Sequence, residues 1–184
     1  MGSAPDREKA KPSANCAKSN SLNMNRHSIA VLIRKTFLPG TGMSEVPLIS
    51  IVDDDALARD GIRELVESLG YNGVTFVSAN QFLESGLIAE TICLITDLQM
   101  PGLNGLELQE ALKSQGYQTP VIVITAYPNQ KHRTRALANG AVGFLSKPFS
   151  EQCLIECLNA AIDLRSSQMR GRGAAHTAKA ASRR

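Results

Sequence analysis

The stretch ICLITDLQMPGLNG, residues 92–105, decides the fold of this chain. Its first five residues are apolar or β-branched and uncharged, and Asp97 follows them. This pattern is typical of a strand that is buried on both faces and opens at its carboxyl end. Pro101 and Gly102 indicate a turn, and Gly105–Ser114 has helical apolar spacing. A strand, a loop and a helix in this order predict one unit of a parallel sheet.

The same alternation extends in both directions along the chain. Strands are predicted at Leu48–Val52, Val74–Val77, Ile92–Thr96, Val121–Thr125 and Val142–Leu145. Helices are predicted at Ala56–Leu69, Ala79–Glu84, Gly105–Ser114, Gln130–Asn139 and from Ser150 to about Leu164. Five strands alternating with five helices predict an α/β fold, with a doubly wound five-stranded parallel sheet covered on both faces. Its site should lie at the carboxyl ends of the strands.

The two ends of the chain differ in charge from its middle. The net charge of +3 combines a balance of +4 in residues 1–46, −6 in residues 47–165 and +5 in residues 166–184. The sequence predicts a folded domain over 47–165 between two disordered basic extensions, 1–46 and 166–184. A short apolar stretch, Ile29–Phe37, interrupts the first extension. Because Met43 lies only five residues before the first strand, we also expect translation to start there.

Composition excludes several classes of protein. No apolar run approaches the roughly 18 residues that a membrane span needs, and no signal peptide opens the chain. Trp is absent and aromatics are 4%, which disfavours recognition of single strands by stacking. Four cysteines show no CxxC spacing, so we interpret them as reduced thiols. These features predict a cytoplasmic protein.

Polar residues follow four of the five predicted strands. Asp53, Asp54 and Asp55 follow the first strand, Asp97 the third, Thr125 ends the fourth and Lys147 follows the fifth. Clustered carboxylates repel one another, and a hard divalent cation such as Mg²⁺ relieves that repulsion. The lysine and the threonine hydroxyl can bind phosphate oxygens. The set therefore predicts phosphoryl transfer to Asp97 as nucleophile.

Each of these residues alone has an ordinary structural explanation. A run of aspartates commonly forms a solvated turn or caps a helix, and an Asp near Pro-Gly is common turn chemistry. A Thr at a strand end most often satisfies a backbone group. Only the joint placement at successive strand ends favours the functional interpretation.

Four segments together resemble a known family. They are Ile51-Val52-Asp53-Asp54-Asp55, Thr96-Asp97-Leu98-Gln99-Met100-Pro101-Gly102-Leu103-Asn104-Gly105, Val123-Ile124-Thr125-Ala126 and Gly143-Phe144-Leu145-Ser146-Lys147-Pro148-Phe149. They are similar to the receiver domain of two-component response regulators, above all to nitrogen-fixation and nodulation types. The likeness covers about residues 47–165 and implies the flavodoxin-like (CheY-like) version of the predicted fold.

The resemblance assigns roles to the acidic residues. Asp97 would be the phosphoacceptor. Asp54, Asp97 and the backbone carbonyl of Gln99 would bind Mg²⁺, while Asp53 would complete the acidic pocket through metal-bound water. Asp55 has no fixed role in the family.

The resemblance also implies how the phosphoryl group is bound and sensed. Thr125 and Lys147 would bind its oxygens, with a cis Lys147–Pro148 bond aiming the lysine. Phe144 would be the aromatic switch that turns inward when Thr125 moves. Tyr127, like Gln99, stands where relatives tune autodephosphorylation.

The implied protein is a single-domain signalling module that is not an enzyme beyond slow autodephosphorylation. A sensor histidine kinase or a histidine phosphotransfer protein would supply the phosphoryl group. An unknown downstream protein would bind the face formed by the fourth helix, fifth strand and fifth helix.

Two other functions stay open. The module could bind partners independently of phosphorylation. Alternatively, the basic tails could contact nucleic acid, although we favour a solvated tail; the candidate residues are Arg170, Arg172, Lys179, Arg183 and Arg184. A haloacid-dehalogenase-type phosphatase is disfavoured because Gln99 replaces the second Asp that this chemistry needs.

Overall fold

A computed structural model describes the backbone of residues 46–181 and the side chains of residues 46–168. The predicted N-terminal extension with Ile29–Phe37, the proposed start at Met43, and Arg183 and Arg184 lie outside the described residues. No helix within residues 46–181 is long and apolar enough to cross a membrane.

Within residues 46–181, five strands alternate with five helices, as predicted. The strands are β1 (Leu48–Val52), β2 (Asn72–Phe76), β3 (Thr91–Asp97), β4 (Val121–Thr125) and β5 (Ala141–Ser146). The helices are α1 (Ala56–Ser68), α2 (Ala79–Glu84), α3 (Gly105–Ser114), α4 (Gln130–Ala138) and α5 (Glu151–Ala181). All strand pairs are parallel, and the sheet order is β2-β1-β3-β4-β5. The predicted doubly wound fold is confirmed.

Apolar side chains fill both faces of the sheet because β1, β3 and β4 are buried along their whole length. On one face, Ile49 and Ile51 pack with residues of α1 and α5 such as Val66 and Leu158. On the other face, Val52 packs with residues of α2, α3 and α4. A strand buried on both sides reads as a continuous apolar run, which is why these three strands were predictable.

The last helix differs from the prediction. It was expected to end near Leu164 and to give way to a disordered tail over residues 166–184, but its backbone stays helical to Ala181. The tail is poor in core-forming residues, and that feature led to the wrong expectation. It nevertheless contains five Ala and four Arg residues, which have high helix propensity and extend a helix that packing has already nucleated.

Candidate functional site

Lys147 joins two carboxylates at the carboxyl edge of the sheet. Its Nζ lies 2.7 Å from Oδ2 of Asp53 and 2.9 Å from Oδ1 of Asp97. Both carboxylates are buried, with side-chain exposures of 2% and 7%. The ends of β1, β3 and β5 therefore converge as the sequence predicts, and one ammonium pairs with two desolvated carboxylates and offsets part of their charge.

Asp53 is fixed further by its own neighbourhood. Its Oδ1 accepts a hydrogen bond from the backbone N–H of Asp55 at 2.9 Å. Its backbone carbonyl accepts one from Nη1 of Arg59 at 2.7 Å. Arg59 was not predicted as a site residue. Its position in the first turns of α1, six residues after Asp53, is the only signal that could have found it.

Asp97 lies in a tightly packed loop. Its Oδ2 accepts the backbone N–H of Gln99 at 2.5 Å, and the N–H of Leu98 donates to the carbonyl of Ile124 at 2.7 Å. A Cβ at Gly105, the first residue of α3, would overlap the carbonyl oxygen of Asp97. Only glycine therefore lets α3 begin this close to the carboxyl-bearing residue.

Burial and the ion pairs act in opposite directions on these groups. Burial raises the pKa of Asp97, and although hydrogen bonds from Lys147 and Gln99 lower it, the pKa stays above its ordinary value. Burial lowers the pKa of Lys147, but the hydrogen bonds to Asp53 and Asp97 raise it above its ordinary value. The lysine therefore stays charged, while the carboxylate of Asp97 is partly desolvated.

The carboxylates of Asp54 and Asp55 are not among the groups that Lys147 contacts, and both residues are exposed. Asp55 caps α1, since its Oδ1 accepts the backbone N–H of Leu57 at 3.0 Å. The structure thus gives Asp55 the helix-capping role that the resemblance left open. Asp54 keeps its carboxylate in solvent beside the crevice.

The donor set fits Mg²⁺. The predicted ligands, Asp54, Asp97 and the carbonyl of Gln99, offer only oxygen, which Mg²⁺ prefers. Among the described residues, no group of three or more His, Cys, Asp or Glu side chains is already assembled around a metal position. Mg²⁺ does not require such a cage, because it keeps several waters and binds through one or two carboxylates. The three ligands stay a prediction.

Thr125 and Lys147 are held next to each other by the backbone. The carbonyl of Thr125 accepts the N–H of Lys147 at 2.7 Å. The buried Thr125 hydroxyl accepts the N–H of Tyr127 at 3.1 Å. The predicted cis bond between Lys147 and Pro148 is present. A hydroxyl and an ammonium thus approach the crevice from adjacent strands.

Phe144 lies on the half-buried part of β5 facing α4. The guanidinium of Arg133 is 5.9 Å from the centre of its ring, within the range of a cation–π interaction. The predicted switch residue is therefore in contact with a cation that the sequence analysis did not identify.

Comparison with known proteins agrees with this geometry. The sequence model of the response regulator receiver domain family matches residues 49–159 of this chain. This chain belongs to that family. Nodulation protein W of Bradyrhizobium diazoefficiens is 37% identical over 123 residues, covering 67% of this chain and 54% of the relative. FixJ of Azorhizobium caulinodans, a transcriptional regulatory protein, is 34% identical over 128 residues, covering 70% and 61%. The predicted likeness to nitrogen-fixation and nodulation regulators is confirmed.

A solved structure gives the same result. The response regulator StyR superimposes with a TM-score of 0.68 at 35% identity, over 72% of this chain and 67% of that one. The chain spans a little over half the length of the curated relatives it matches. A receiver domain is a signalling domain that accepts a phosphoryl group, so the family supports the general function predicted from the sequence.

Proposed function

We propose that Asp97 accepts a phosphoryl group from a phosphohistidine of a sensor histidine kinase or a phosphotransfer protein. The observation that carries this proposal is the position of the Lys147 ammonium, 2.9 Å from Oδ1 of Asp97 and 2.7 Å from Asp53. A fixed cation beside a desolvated carboxylate is placed to bind the oxygens of an incoming phosphoryl group.

The transfer requires little covalent chemistry from the protein. A carboxylate oxygen of Asp97 forms the new O–P bond while the N–P bond of the donor histidine breaks. The histidine nitrogen leaves with the electron pair, and Asp97 becomes an acyl phosphate. Lys147 then pairs with a phosphoryl oxygen, and the hydroxyl of Thr125 donates to another.

Mg²⁺, held by Asp54, Asp97 and the carbonyl of Gln99, supplies positive charge for the phosphoryl oxygens when it is bound. Asp53 contributes through its carboxylate beside the metal. Because the acidic pocket already uses one cation, Lys147, to offset two buried carboxylates, charge neutralisation is the main requirement of this site.

The same proposal includes the response to phosphorylation. The hydroxyl of Thr125 loses its hydrogen bond from the N–H of Tyr127 and moves to the phosphoryl group. The ring of Phe144 then turns inward into the space behind Thr125. The face formed by α4, β5 and α5 then binds a downstream protein in the cytoplasm. Gln99 and Tyr127, both exposed beside the crevice, set a slow rate of autodephosphorylation.

The test is incorporation of phosphate from acetyl phosphate, followed by intact mass. We expect wild type to gain one phosphoryl group only when Mg²⁺ is present, and Asp97→Asn to gain none. Asp55→Asn is the matched control because the Asp55 carboxylate caps α1. Asp55 bonds Asp53 only through its backbone N–H, which the substitution keeps, so this variant should be phosphorylated like wild type. Equal incorporation in Asp97→Asn would reject Asp97 as the acceptor.

A further inference from the structure

Arg59 is bonded to two points of the loop that carries the three consecutive aspartates. Its side-chain Nη1 donates to the backbone carbonyl of Asp53 at 2.7 Å. Its backbone N–H donates to the carbonyl of Asp55 at 3.0 Å. The two acceptors lie on either side of Asp54 in the chain. One residue of α1 therefore fixes the main chain before and after Asp54.

The guanidinium of Arg59 binds a main-chain carbonyl although the loop beside it is rich in carboxylates. Among residues 46–168, Arg59 forms no ion pair, and the carboxylate of Asp54 accepts no hydrogen bond. An arginine paired with Asp54 would compete with a metal ion for that carboxylate. The bond to the carbonyl instead leaves the Asp54 carboxylate available and restricts the backbone that carries it.

We propose that Arg59 is a positioning residue for the Mg²⁺ site. By holding the carbonyl of Asp53, it restricts the backbone of the next residue, Asp54, whose carboxylate would bind the metal. The other proposed carboxylate ligand, Asp97, is held independently by Lys147. Because the Asp54 side chain has no such contact, its position depends on the backbone that Arg59 holds. This inference rests on the proposed function, in which Asp54 is a metal ligand.

The charge of Arg59 and its positioning role predict opposite effects on Mg²⁺ binding. A positive charge repels a nearby cation, so removing the charge alone should strengthen Mg²⁺ binding. Because Arg59 is only half-buried, water and salt screen its charge, and this gain should stay near about twofold. Loss of a group that orients a metal ligand weakens metal binding by about 10–100-fold. We therefore expect a net loss of about tenfold when Arg59 is replaced.

The test measures the Mg²⁺ affinity of the full chain by titration of backbone amide signals in NMR spectra, at about 0.15 M salt. Arg59→Gln should bind Mg²⁺ about tenfold more weakly than wild type. Arg59→Lys keeps a donor and the charge, and should recover part of the affinity. Arg63→Gln is the matched control, because Arg63 lies one turn further along α1 and pairs with Asp60. Its Mg²⁺ affinity should stay within about twofold of wild type.

Phosphorylation from acetyl phosphate separates a role in metal binding from a role in binding the phosphodonor. Arg59→Gln should be phosphorylated slowly at limiting Mg²⁺ and at nearly the wild-type rate at saturating Mg²⁺. At saturating Mg²⁺ its apparent KM for acetyl phosphate should equal that of wild type. A rate deficit that saturating Mg²⁺ does not remove would overturn the positioning role.

Three results of the Mg²⁺ titration would also overturn it. They are unchanged or tighter binding in Arg59→Gln, an equal loss in Arg63→Gln, and no Mg²⁺ binding by wild type. Arg59→Met keeps the aliphatic stem and removes every donor, so it covers a folding defect in Arg59→Gln and should show the same loss.

The outcomes distinguish this inference from the proposed function. Mg²⁺ binding that depends on Arg59, in a protein that takes up no phosphate, would reject only phosphoryl transfer to Asp97. Normal Mg²⁺-dependent phosphorylation with a Mg²⁺ affinity that does not depend on Arg59 would reject only the positioning role.

Discussion

The ammonium of Lys147 lies 2.9 Å from the carboxylate of Asp97, and the same nitrogen holds Asp53 at 2.7 Å. The three residues come from the ends of three different strands, so the sheet must be formed before this contact exists. The candidate phosphoacceptor is therefore paired with its cation only when the domain is folded.

Lys147→Ala should lower the free energy of unfolding by about 3 kcal/mol at neutral pH, because it leaves two buried carboxylates without their cation. Denaturant titration measures this loss. Adding Asp97→Asn to Lys147→Ala should restore part of the stability, since one of the unpaired charges is removed. Lys113→Ala, on the exposed end of α3, is the control and should stay within about 0.5 kcal/mol of wild type. Equal losses in both lysine variants would contradict the account.

Gly105→Ala should destabilise the domain by about 2 kcal/mol, because the added methyl group meets the carbonyl of Asp97 and the loop must move. It should also slow phosphorylation of Asp97. Gly61→Ala is the matched control in α1, where a Cβ meets nothing within 4 Å; it should stabilise by about 0.5 kcal/mol. Thermal or urea unfolding compares the two. A neutral Gly105→Ala would show that the loop is less tightly packed than described.

Glu110 should titrate below its usual value near 4.5. The side chain of Asn139 lowers its pKa by hydrogen bonding, and Arg135 does so by a hydrogen bond and by charge. Because the folded pKa is the lower one, this stabilisation is complete above the unfolded pKa and is lost as pH falls through the folded value. NMR titration of the carboxyl carbon should show the pKa rising in Asn139→Ala and in Arg135→Gln. An unchanged pKa in both variants would contradict the bridge from α3 to α4.

The thiol of Cys157 should react slowly with iodoacetamide. Burial raises its pKa to about 11. Its Sγ packs so closely against β5 that a Cβ added to Gly143 would lie only 2.6 Å from it. At neutral pH its thiolate fraction, and hence its alkylation rate, should be about 300-fold below that of a thiol with the ordinary pKa near 8.5. Cys93, whose pKa burial also raises, should react only after unfolding. Mass spectrometry of timed digests follows both, and fast native labelling of Cys157 would argue against its packing against β5.

The sheet and the crevice were predictable because their signals are local. A buried parallel strand is a short apolar run, and the residue after it lies at the functional edge whatever the rest of the sequence does. The positions of Asp53, Asp97 and Lys147 follow from that rule alone. Arg59 and Arg133 were missed because their contacts depend on how α1 and α4 pack against the sheet. The spacing of apolar residues along the sequence does not determine that packing.

The end of α5 was mispredicted for a different reason. Composition shows whether a segment can enter a core, and residues 166–181 cannot do so readily. It does not show whether a helix already nucleated by core contacts such as Leu158 continues beyond them.

Locating the phosphoryl group on the chain tests directly whether Asp97 is the phosphoacceptor. After reaction with acetyl phosphate and Mg²⁺, borohydride reduces an aspartyl phosphate to homoserine, and peptide sequencing by mass spectrometry finds the altered position. We expect homoserine at position 97 alone, and none in Asp97→Asn. Homoserine at position 53, 54 or 55, or at no position in wild type, would contradict this assignment.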